Sequence, residues 1–333
     1  MYFSASTHDI VGMNNLGQIV KFYNTTDKYL LHHDYAMDDD GNLVVLATDT
    51  TKTTMQDQII TIDGDSGEIT NVVDMTDLYS SYEESTATAT MGTKATDNSS
   101  SASATTGKAS ESTADSDSTK KDWLHLNTIQ LTGDGSAILS SRETSTIIKI
   151  SDVEGDPSID YMIGESSFWE GTDYSQYLLT KDTSDGDWPS TGGQHSVTYV
   201  EDASLPDGQY YLYLFDNNFG LSNTRPDYSW TDNIEGIDTG YTEGTNSNYY
   251  KYLVDENAGT YKLVNPFEVP YSSIVSSAEE YSDGTIVIDS GMKGTWGVYS
   301  DDGTLIQQYK MKILQSMIYR VYKYDFAGFY FAS

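Results

Sequence analysis

Few residues of this chain have side chains that could do chemistry at neutral pH. Its 333 residues contain five His and no Cys, which excludes a thiolate nucleophile and thiolate metal ligands. Most of the His lie at the start of short apolar segments: the pair His32 and His33, then His125, then His195. A neutral imidazole can act as a nucleophile, an acid or a base near pH 7. These histidines are therefore the candidate reactive groups.

Arg142 is the candidate anion ligand. It lies at the far end of the predicted hairpin that His125 begins. The planar donors of a guanidinium suit a sulfate, phosphate or carboxylate group held by two hydrogen bonds. A salt bridge to Glu143 or to another of the 51 acidic residues is the ordinary alternative. The pairing of Arg142 with His in so acidic a chain points to an anionic ligand.

The segments that must position these side chains are strands. Apolar residues come in short alternating runs, as in residues 42–47 and 285–288, and no amphipathic helix longer than about three turns is evident. Four turns that end in Asp-Gly each separate two such runs, and they predict hairpins at Gly41, Gly135, Gly208 and Gly284. A second kind of Gly turn precedes a further strand at Gly17, Gly67 and Gly303.

Two hairpins make a four-stranded unit, and repeated units of this kind predict an all-β protein of the β-propeller type. The innermost strand of each propeller blade lines a central channel, so the His at the starts of successive units are expected to converge there. A β-sandwich is the alternative fold. Residues 84–121, of which 18 are Ser or Thr, predict a disordered insertion within one partial propeller domain that spans residues 1–333.

Charge and hydropathy exclude several functions. The formal net charge of −33 disfavours binding to nucleic acid, because a polyanion would be repelled. No apolar run reaches the ~18 residues of a membrane span, and no signal peptide follows Met1. No Gly-rich phosphate-binding loop is present, so a nucleotide donor is unsupported. We expect no cofactor and no metal, although a metal-dependent hydrolase built on the four later His is a disfavoured alternative.

Several phrases of the sequence together resemble the bacterial aryl-sulfate sulfotransferases. They are residues 32–34 (His-His-Asp), 122–129, 138–142, 187–189, 193–197, 214–217, 271–273 and 319–326. The resemblance implies a six-bladed propeller outside the cytoplasm that moves a sulfuryl group from a phenolic sulfate ester to a phenol. It also implies ping-pong kinetics through a sulfated His. The alternative is a non-enzymatic propeller that binds anionic aromatic ligands or a protein partner.

The same resemblance assigns roles to residues. It makes His195 the nucleophile, His125 an assisting His and Arg142 the sulfate-binding Arg. The remaining His is His32 or His33. Superposing the turns at Gly41 and Gly135 puts His33 two residues from the equivalent of His125, so alternation in a strand favours His33 as the side chain that faces the channel. A bulge in the strand would reverse this choice.

The chain departs from the family at its start, because the family has a longer N-terminal region before the His pair. We therefore expect an incomplete propeller of about four blades plus parts of the flanking ones, which exposes strand edges, can form homodimers and lacks activity on its own. Aromatic substrates also need stacking surfaces. The aromatic residues next to the His segments are the candidates for them: Trp123, Trp169, Tyr174 and Trp188.

Overall fold

The computed structural model describes residues 1–87, 120–312 and 317–324. Most of the predicted insertion, residues 88–119, lies outside the described residues, and Glu84 and Ser85 at its start form the end of a short helix. The described helices are few and short. They are α1 (Met75–Leu78), α2 (Ser80–Ser85), α3 (Ser166–Trp169) and α4 (Trp230–Asn233), with 3₁₀ turns at Ser175–Tyr177 and Gly291–Lys293.

The described strands form five sheets, the blades of a β-propeller. Blade 1 has three strands: β1 (Tyr2–Ser4), β2 (Asp9–Met13) and β3 (Ile19–Asn24). Blade 2 has four: β4 (Tyr29–Met37), β5 (Leu43–Asp49), β6 (Gln58–Ile62) and β7 (Ile69–Asp74). Blade 3 has four: β8 (Leu126–Leu131), β9 (Ala137–Ser141), β10 (Thr146–Ser151) and β11 (Ser158–Ile163).

Blades 4 and 5 complete the described array. Blade 4 contains β12 (Thr180–Lys181), β13 (His195–Val200), β14 (Gln209–Asp216), β15 (Ser247–Asp255) and β16 (Thr260–Val269). Its short β12 pairs with β16 in parallel, whereas the other strand pairs of the sheet are antiparallel. Blade 5 contains β17 (Ser277–Glu280), β18 (Ile286–Ser290), β19 (Thr295–Tyr299) and β20 (Leu305–Lys310).

The Asp-Gly turns lie where the sequence predicts them, between the two innermost strands of blades 2 to 5, which in blade 4 are β13 and β14. Gly284 shows why Gly is used, since its φ of 81° is in the left-handed region. The preceding Asp283 accepts a hydrogen bond from the backbone N–H of Thr285 at 3.0 Å, which closes the turn. These short turns make the two innermost strands of each of these blades antiparallel neighbours.

The prediction of an all-β propeller is therefore confirmed. The resemblance implies six blades for the family, and about four blades plus parts of the flanking ones were expected in this chain; the described residues form five sheets, one of them with three strands. The four Asp-Gly turns mark blades 2 to 5, whereas blade 1 is marked only by Gly17. Large side chains are exposed on the sheets at both ends of the array, among them Val20 and Phe22 in blade 1 and Ile306 and Tyr309 in blade 5.

The largest hydrophobic cluster packs blades 2 and 3 against α1 to α3, and it contains three of the four predicted stacking residues. Trp123 and Trp169 are completely buried, and Tyr174 is 7% exposed. Each indole N–H is satisfied inside the core, Trp123 by Asp57 and Trp169 by Thr146. These rings are core anchors because their polar atoms find partners there.

Trp188, the fourth predicted stacking residue, packs against Tyr261 in a second cluster. Lys181 lies over its ring at 4.7 Å. Unlike the three core aromatic residues, Trp188 is partly exposed. The expectation that the four aromatic residues line a substrate site is wrong for Trp123 and Trp169, which have no exposed surface.

Candidate functional site

The predicted reactive residues meet at one end of the blades, opposite the Asp-Gly turns. The innermost strand of each blade starts there and its neighbour ends there, as the pairing of Leu126 with Ser141 shows. Residues just before or at the start of β8 and β13, and just after β9, therefore share one location. We call His33, His125, Arg142 and His195 the histidine site.

Contacts within and between blades hold the histidine site together. The His33 and His125 ring centroids are 4.9 Å apart, and the backbone N–H of Arg142 donates to the His125 carbonyl at 3.2 Å. A methyl group at Gly193, two residues before His195, would lie 3.9 Å from Cγ of Arg142. The predicted site residues are thus gathered around one point, although they come from three blades.

The tautomer of His195 is fixed. Its Nδ1 lies 3.0 Å from the Gly193 carbonyl oxygen and 2.7 Å from Asn217 Oδ1. A carbonyl oxygen only accepts hydrogen bonds, so Nδ1 must carry the hydrogen. Asn217 is oriented in turn, because its amide N–H groups donate to the carbonyls of Ser272 and Val275 at 2.7 and 3.0 Å.

The other nitrogen of His195 therefore carries a lone pair. Among the described residues no group forms a hydrogen bond with Nε2. Burial lowers the pKa of His195 to about 3, and the positive charges of Arg142, His125 and Arg320 add to this effect. The imidazole is thus neutral at ordinary pH, as a nitrogen nucleophile must be.

His125 has a carboxylate partner. Asp122 Oδ2 accepts a hydrogen bond from its Nδ1 at 2.7 Å, and both side chains are buried. A carboxylate beside Nδ1 orients the imidazole and stabilises its doubly protonated form. This pair can therefore donate and accept a proton at Nε2. The spacing of three residues between Asp122 and His125 was visible in the sequence, but no role for Asp122 was inferred from it.

Arg142 is buried with only part of its donors occupied. Its Nη1 donates to Glu143 at 2.8 Å, which is the salt bridge that the sequence offers as the ordinary alternative. Glu143 is held by the backbone and side-chain N–H groups of Asn223 at 2.7 and 2.8 Å. Nε and Nη2 of Arg142 have no partner among the described residues. Those two donors form one edge of the guanidinium, the edge that binds two oxygens of an anion.

His33 and His32 occupy different positions. His33 Nε2 lies 3.2 Å from Gln56 Oε1, and its Nδ1 lies 2.7 Å from the Tyr319 hydroxyl. His32 packs edge-on against His33 with ring centroids 5.1 Å apart. Burial lowers the pKa of His32 to about 3 and that of His33 well below its ordinary value. Of the two, His33 is the one whose ring packs against His125.

The alternation argument that favoured His33 does not describe the strands, however. The register of β4 shifts between Leu31 and Tyr35, and that of β8 shifts between Leu126 and Thr128. Both strands bulge beside the site, so simple alternation is lost. His33 has a φ of 53° and His125 a φ of 54°, in the left-handed region that non-Gly residues rarely adopt.

The same unusual backbone recurs around the site. Ser145, Ser196 and Asn218 have φ values of 49°, 58° and 52°, and Val275, whose carbonyl holds Asn217, has a φ of 54°. For a β-branched residue this conformation is strained. Strained backbone is concentrated at functional sites, where the surrounding structure holds it in place.

Sequence reasoning gave no role to Tyr319 and Arg320, although it noted them in the family phrase near the C-terminus. Residues 317–324 run beside β17, held by hydrogen bonds such as that from Val321 N to Ser277 Oγ at 3.1 Å. Arg320 donates to Asp34 at 2.9 Å and to the Asn127 carbonyl at 2.7 Å. A sequence separation of 286 residues between Arg320 and Asp34 left no spacing signal for this contact.

Three basic side chains in and beside the histidine site each have an acidic partner: Asp122 for His125, Glu143 for Arg142 and Asp34 for Arg320. In the part of the chain that the structure describes, no group of three or more His, Asp or Glu side chains could hold a metal ion. None of the described helices is long and apolar enough to cross a membrane.

Comparisons with known proteins add a family and a set of similar shapes. The family described as Arylsulfotransferase (ASST) matches residues 1–324. A search among curated proteins found no match. One similar solved structure is a protein of unknown function from Bacteroides caccae, with 10% identity, TM-score 0.41 and coverage of 93% of this chain and 72% of that one.

Two further solved structures are similar to the same degree. A structure from Bacteroides uniformis that is described as a 6-phosphogluconolactonase has 10% identity and a TM-score of 0.44. The match covers 93% of this chain and 70% of that one. A streptogramin B lyase has 10% identity, TM-score 0.43 and coverage of 94% and 66%. A likeness of this size carries no information on activity.

Proposed function

Since the chain belongs to the arylsulfotransferase family, we propose that it transfers a sulfuryl group from an aryl sulfate ester to a phenol without a nucleotide donor. The transfer proceeds in two steps through a sulfated His195. The observation that carries the proposal is the fixed tautomer of His195, whose Nδ1–H is held by Gly193 O and Asn217 Oδ1. This leaves a buried, neutral Nε2 lone pair beside a guanidinium edge.

In the first step, Nε2 of His195 attacks the sulfur atom of the ester. A bond forms between nitrogen and sulfur, and the bond between sulfur and the phenolic oxygen breaks. The phenolic oxygen leaves with the electron pair of that bond and takes a proton from His125. A phenol has a pKa of about 10, so proton donation eases its departure. Asp122 stabilises the protonated His125 that the step requires.

The second step reverses the first with a different phenol. His125, now neutral, removes the proton from the acceptor hydroxyl, and the phenolic oxygen attacks sulfur. The bond between sulfur and His195 breaks, and the nitrogen regains its lone pair. An imidazole suits this double role, because it is a good nucleophile and also a good leaving group.

Arg142 binds the sulfuryl oxygens in both steps. Its Nε–H and Nη2–H point from one edge and can bind two non-bridging oxygens at once. Prearranged donors of this kind are worth several kcal/mol, about a factor of 10² to 10³ in rate for each donor, in a site that excludes water. The three residues of the histidine site other than His33 are each no more than 1% exposed.

His33 is less suited than His125 to the acid and base role. Its pKa lies well below the ordinary value because of burial and of the charge of His125, so it holds no extra proton to donate at neutral pH. Both its nitrogens also have hydrogen-bond partners in Gln56 and Tyr319. We assign His33 to the wall of the site, and His32 to support of His33.

The family implies that the protein works outside the cytoplasm, and we include that location in the proposal. It also implies that phenolic sulfates and phenols are the partners, while a homodimer and the lack of nucleic-acid binding remain predictions. The sequence-based expectation that the chain lacks activity on its own is tested together with the function.

The test is steady-state kinetics with 4-nitrophenyl sulfate as donor and phenol as acceptor. A ping-pong mechanism predicts parallel lines in double-reciprocal plots, and without acceptor a burst of 4-nitrophenol equal to the enzyme concentration. Intersecting lines and no burst would contradict a covalent intermediate. His8→Ala is the matched control, since His8 contacts the Tyr29 carbonyl away from the site. Binding of the donor without turnover would instead support the non-enzymatic alternative.

A further inference from the structure

Arg320 is a second guanidinium beside the histidine site. Its side chain is 10% exposed, and it is fixed by Asp34 at 2.9 Å through Nη1 and by the Asn127 carbonyl at 2.7 Å through Nη2. Its Nε–H has no partner among the described residues. A buried hydrogen-bond donor without a partner costs free energy. The unpaired Nε–H of Arg320 therefore indicates a position where a ligand can accept a hydrogen bond.

The position of Arg320 relative to His195 follows from a chain of contacts. Asn127, whose carbonyl accepts from Arg320, donates through Nδ2 to the Gln194 carbonyl at 2.9 Å, and Gln194 precedes His195. Tyr319, next to Arg320, contacts His33 at 2.7 Å. The charge of Arg320 also acts on the imidazole of His195, as that of Arg142 does. Arg142 and Arg320, from separate parts of the chain, therefore both lie near enough to His195 for their charges to act on its imidazole.

We infer that Arg320 is a second sulfate-binding residue, whose Nε–H donates to an oxygen of the sulfuryl group that Arg142 holds by its other oxygens. The inference rests on the proposed function and deepens it. A sulfuryl group has three terminal oxygens, and the free edge of Arg142 accounts for two of them. One further donor is needed for the third, and Arg320 offers one.

Asp34 is the positioning residue of this arrangement. One oxygen of its carboxylate accepts from Arg320, and the other accepts from the backbone N–H of Ile129 at 3.1 Å. The backbone contact anchors the carboxylate to the inner strand of blade 3. Asp34 thus fixes the direction of the guanidinium and balances its charge when no anion is bound.

The test measures binding of inorganic sulfate by calorimetry, which does not depend on turnover. Arg320→Gln should weaken sulfate binding by about ten- to hundredfold, the worth of a hydrogen bond to a charged group. Arg320→Lys should recover part of the loss, because it keeps the charge without the planar donors. Lys262→Gln is the control for loss of a positive charge, since that Lys pairs with the exposed Asp185 and none of its contacts involves the histidine site.

The double variant Asp34→Asn with Arg320→Gln separates binding from charge balance. If Arg320 only neutralises Asp34, removing both charges should restore sulfate binding, and that result would overturn the inference. If Arg320 binds the anion, the double variant should stay as weak as Arg320→Gln. Sulfate affinity equal to wild type in Arg320→Gln, or no sulfate binding by wild type, would also overturn it. Circular dichroism identifies any variant that fails to fold.

Failure of this inference can be told apart from failure of the proposed function. If the proposed function is wrong, neither wild type nor the Arg320 variants give a burst of 4-nitrophenol. If only the inference is wrong, the burst persists in Arg320→Gln with unchanged KM for the donor. The inference predicts a raised KM together with a lowered rate of the burst, because the contact is made in both the bound ester and the transition state.

Discussion

His195 Nδ1 lies 2.7 Å from Asn217 Oδ1, and this contact decides which nitrogen of the imidazole can react. Asn217 follows β14, whereas His195 begins β13. The antiparallel pairing of His195 with Phe215 brings them to the same end of the sheet. The reactive tautomer is therefore a consequence of the strand pairing itself.

Replacing Asn217 tests this relationship. Asn217→Ala removes the nearer of the two acceptors that hold the Nδ1–H tautomer, and we expect the burst of 4-nitrophenol to slow on the order of 10²-fold or more, by analogy with loss of tautomer control in other His catalysts. Nitrogen NMR of labelled His should show a mixture of tautomers in the variant and a single one in wild type. A single unchanged tautomer with a slowed burst would show that Asn217 acts in some other way.

The rate loss caused by removing His125 should grow with the pKa of the leaving phenol. For an ester of unsubstituted phenol, His125→Asn should slow the first step strongly, since general acid catalysis contributes about 10²- to 10⁴-fold. For 4-nitrophenyl sulfate, whose phenolate leaves without a proton, the loss should be much smaller. The measurement is the slope of log rate against phenol pKa for wild type and variant. Equal losses for all esters would remove His125 from the acid role.

The rate of the first step should report the low pKa of His195. Burial lowers that pKa to about 3, so the nucleophile stays neutral down to pH 5, well below the ordinary His value of about 6.5. Single-turnover rates with 4-nitrophenyl sulfate should show no tenfold fall per pH unit between pH 6.5 and 5. A fall of that steepness would mean that His195 takes up a proton in this range.

Asp289 should make stability depend on pH in a defined direction. Burial raises its pKa to about 8, and neither oxygen has a hydrogen-bond partner among the described residues. Since the folded pKa exceeds the unfolded value of about 3.9, the folded state binds more protons, and stability falls as pH rises from about 4 to 8. Asp289→Asn should therefore raise the free energy of unfolding at pH 8 and change it less at pH 5.

Urea unfolding of both proteins at the two pH values measures this difference. Wild type and Asp289→Asn must be compared at each pH, because His32 and His195 change the pH dependence of stability in the opposite direction. Their folded pKa of about 3 lies below the unfolded value of about 6.5, so they cost stability as pH falls below 6.5. An equal effect of Asp289→Asn at pH 5 and pH 8 would show that Asp289 does not titrate as described.

The sequence predicted the fold because its strongest signals are local. Asp283 and Gly284 define a turn by themselves, and the apolar runs on either side define strands, so hairpins could be located without knowledge of the rest of the chain. The number of blades could not be obtained in this way. Blade 1 lacks that turn, and only long-range packing decides how many sheets stand around the axis.

The sequence predicted that the residues of the histidine site lie together but not their fine geometry, and their catalytic roles stay predictions. His125 and His195 were found because each starts a predicted inner strand. The orientation of His33 could not be derived, because bulges in β4 and β8 replace regular alternation. Arg320 was missed as a site residue, since its contact with Asp34 depends on how the ends of the chain pack rather than on any local pattern.

The most direct test of the account is mass spectrometry of the protein after reaction with 4-nitrophenyl sulfate in the absence of an acceptor. The account predicts a single added SO₃ group on the peptide that contains His195, which disappears when phenol is added and never forms in His195→Ala. An unmodified His195 in a protein that transfers sulfate, or transfer that persists in His195→Ala, would contradict it.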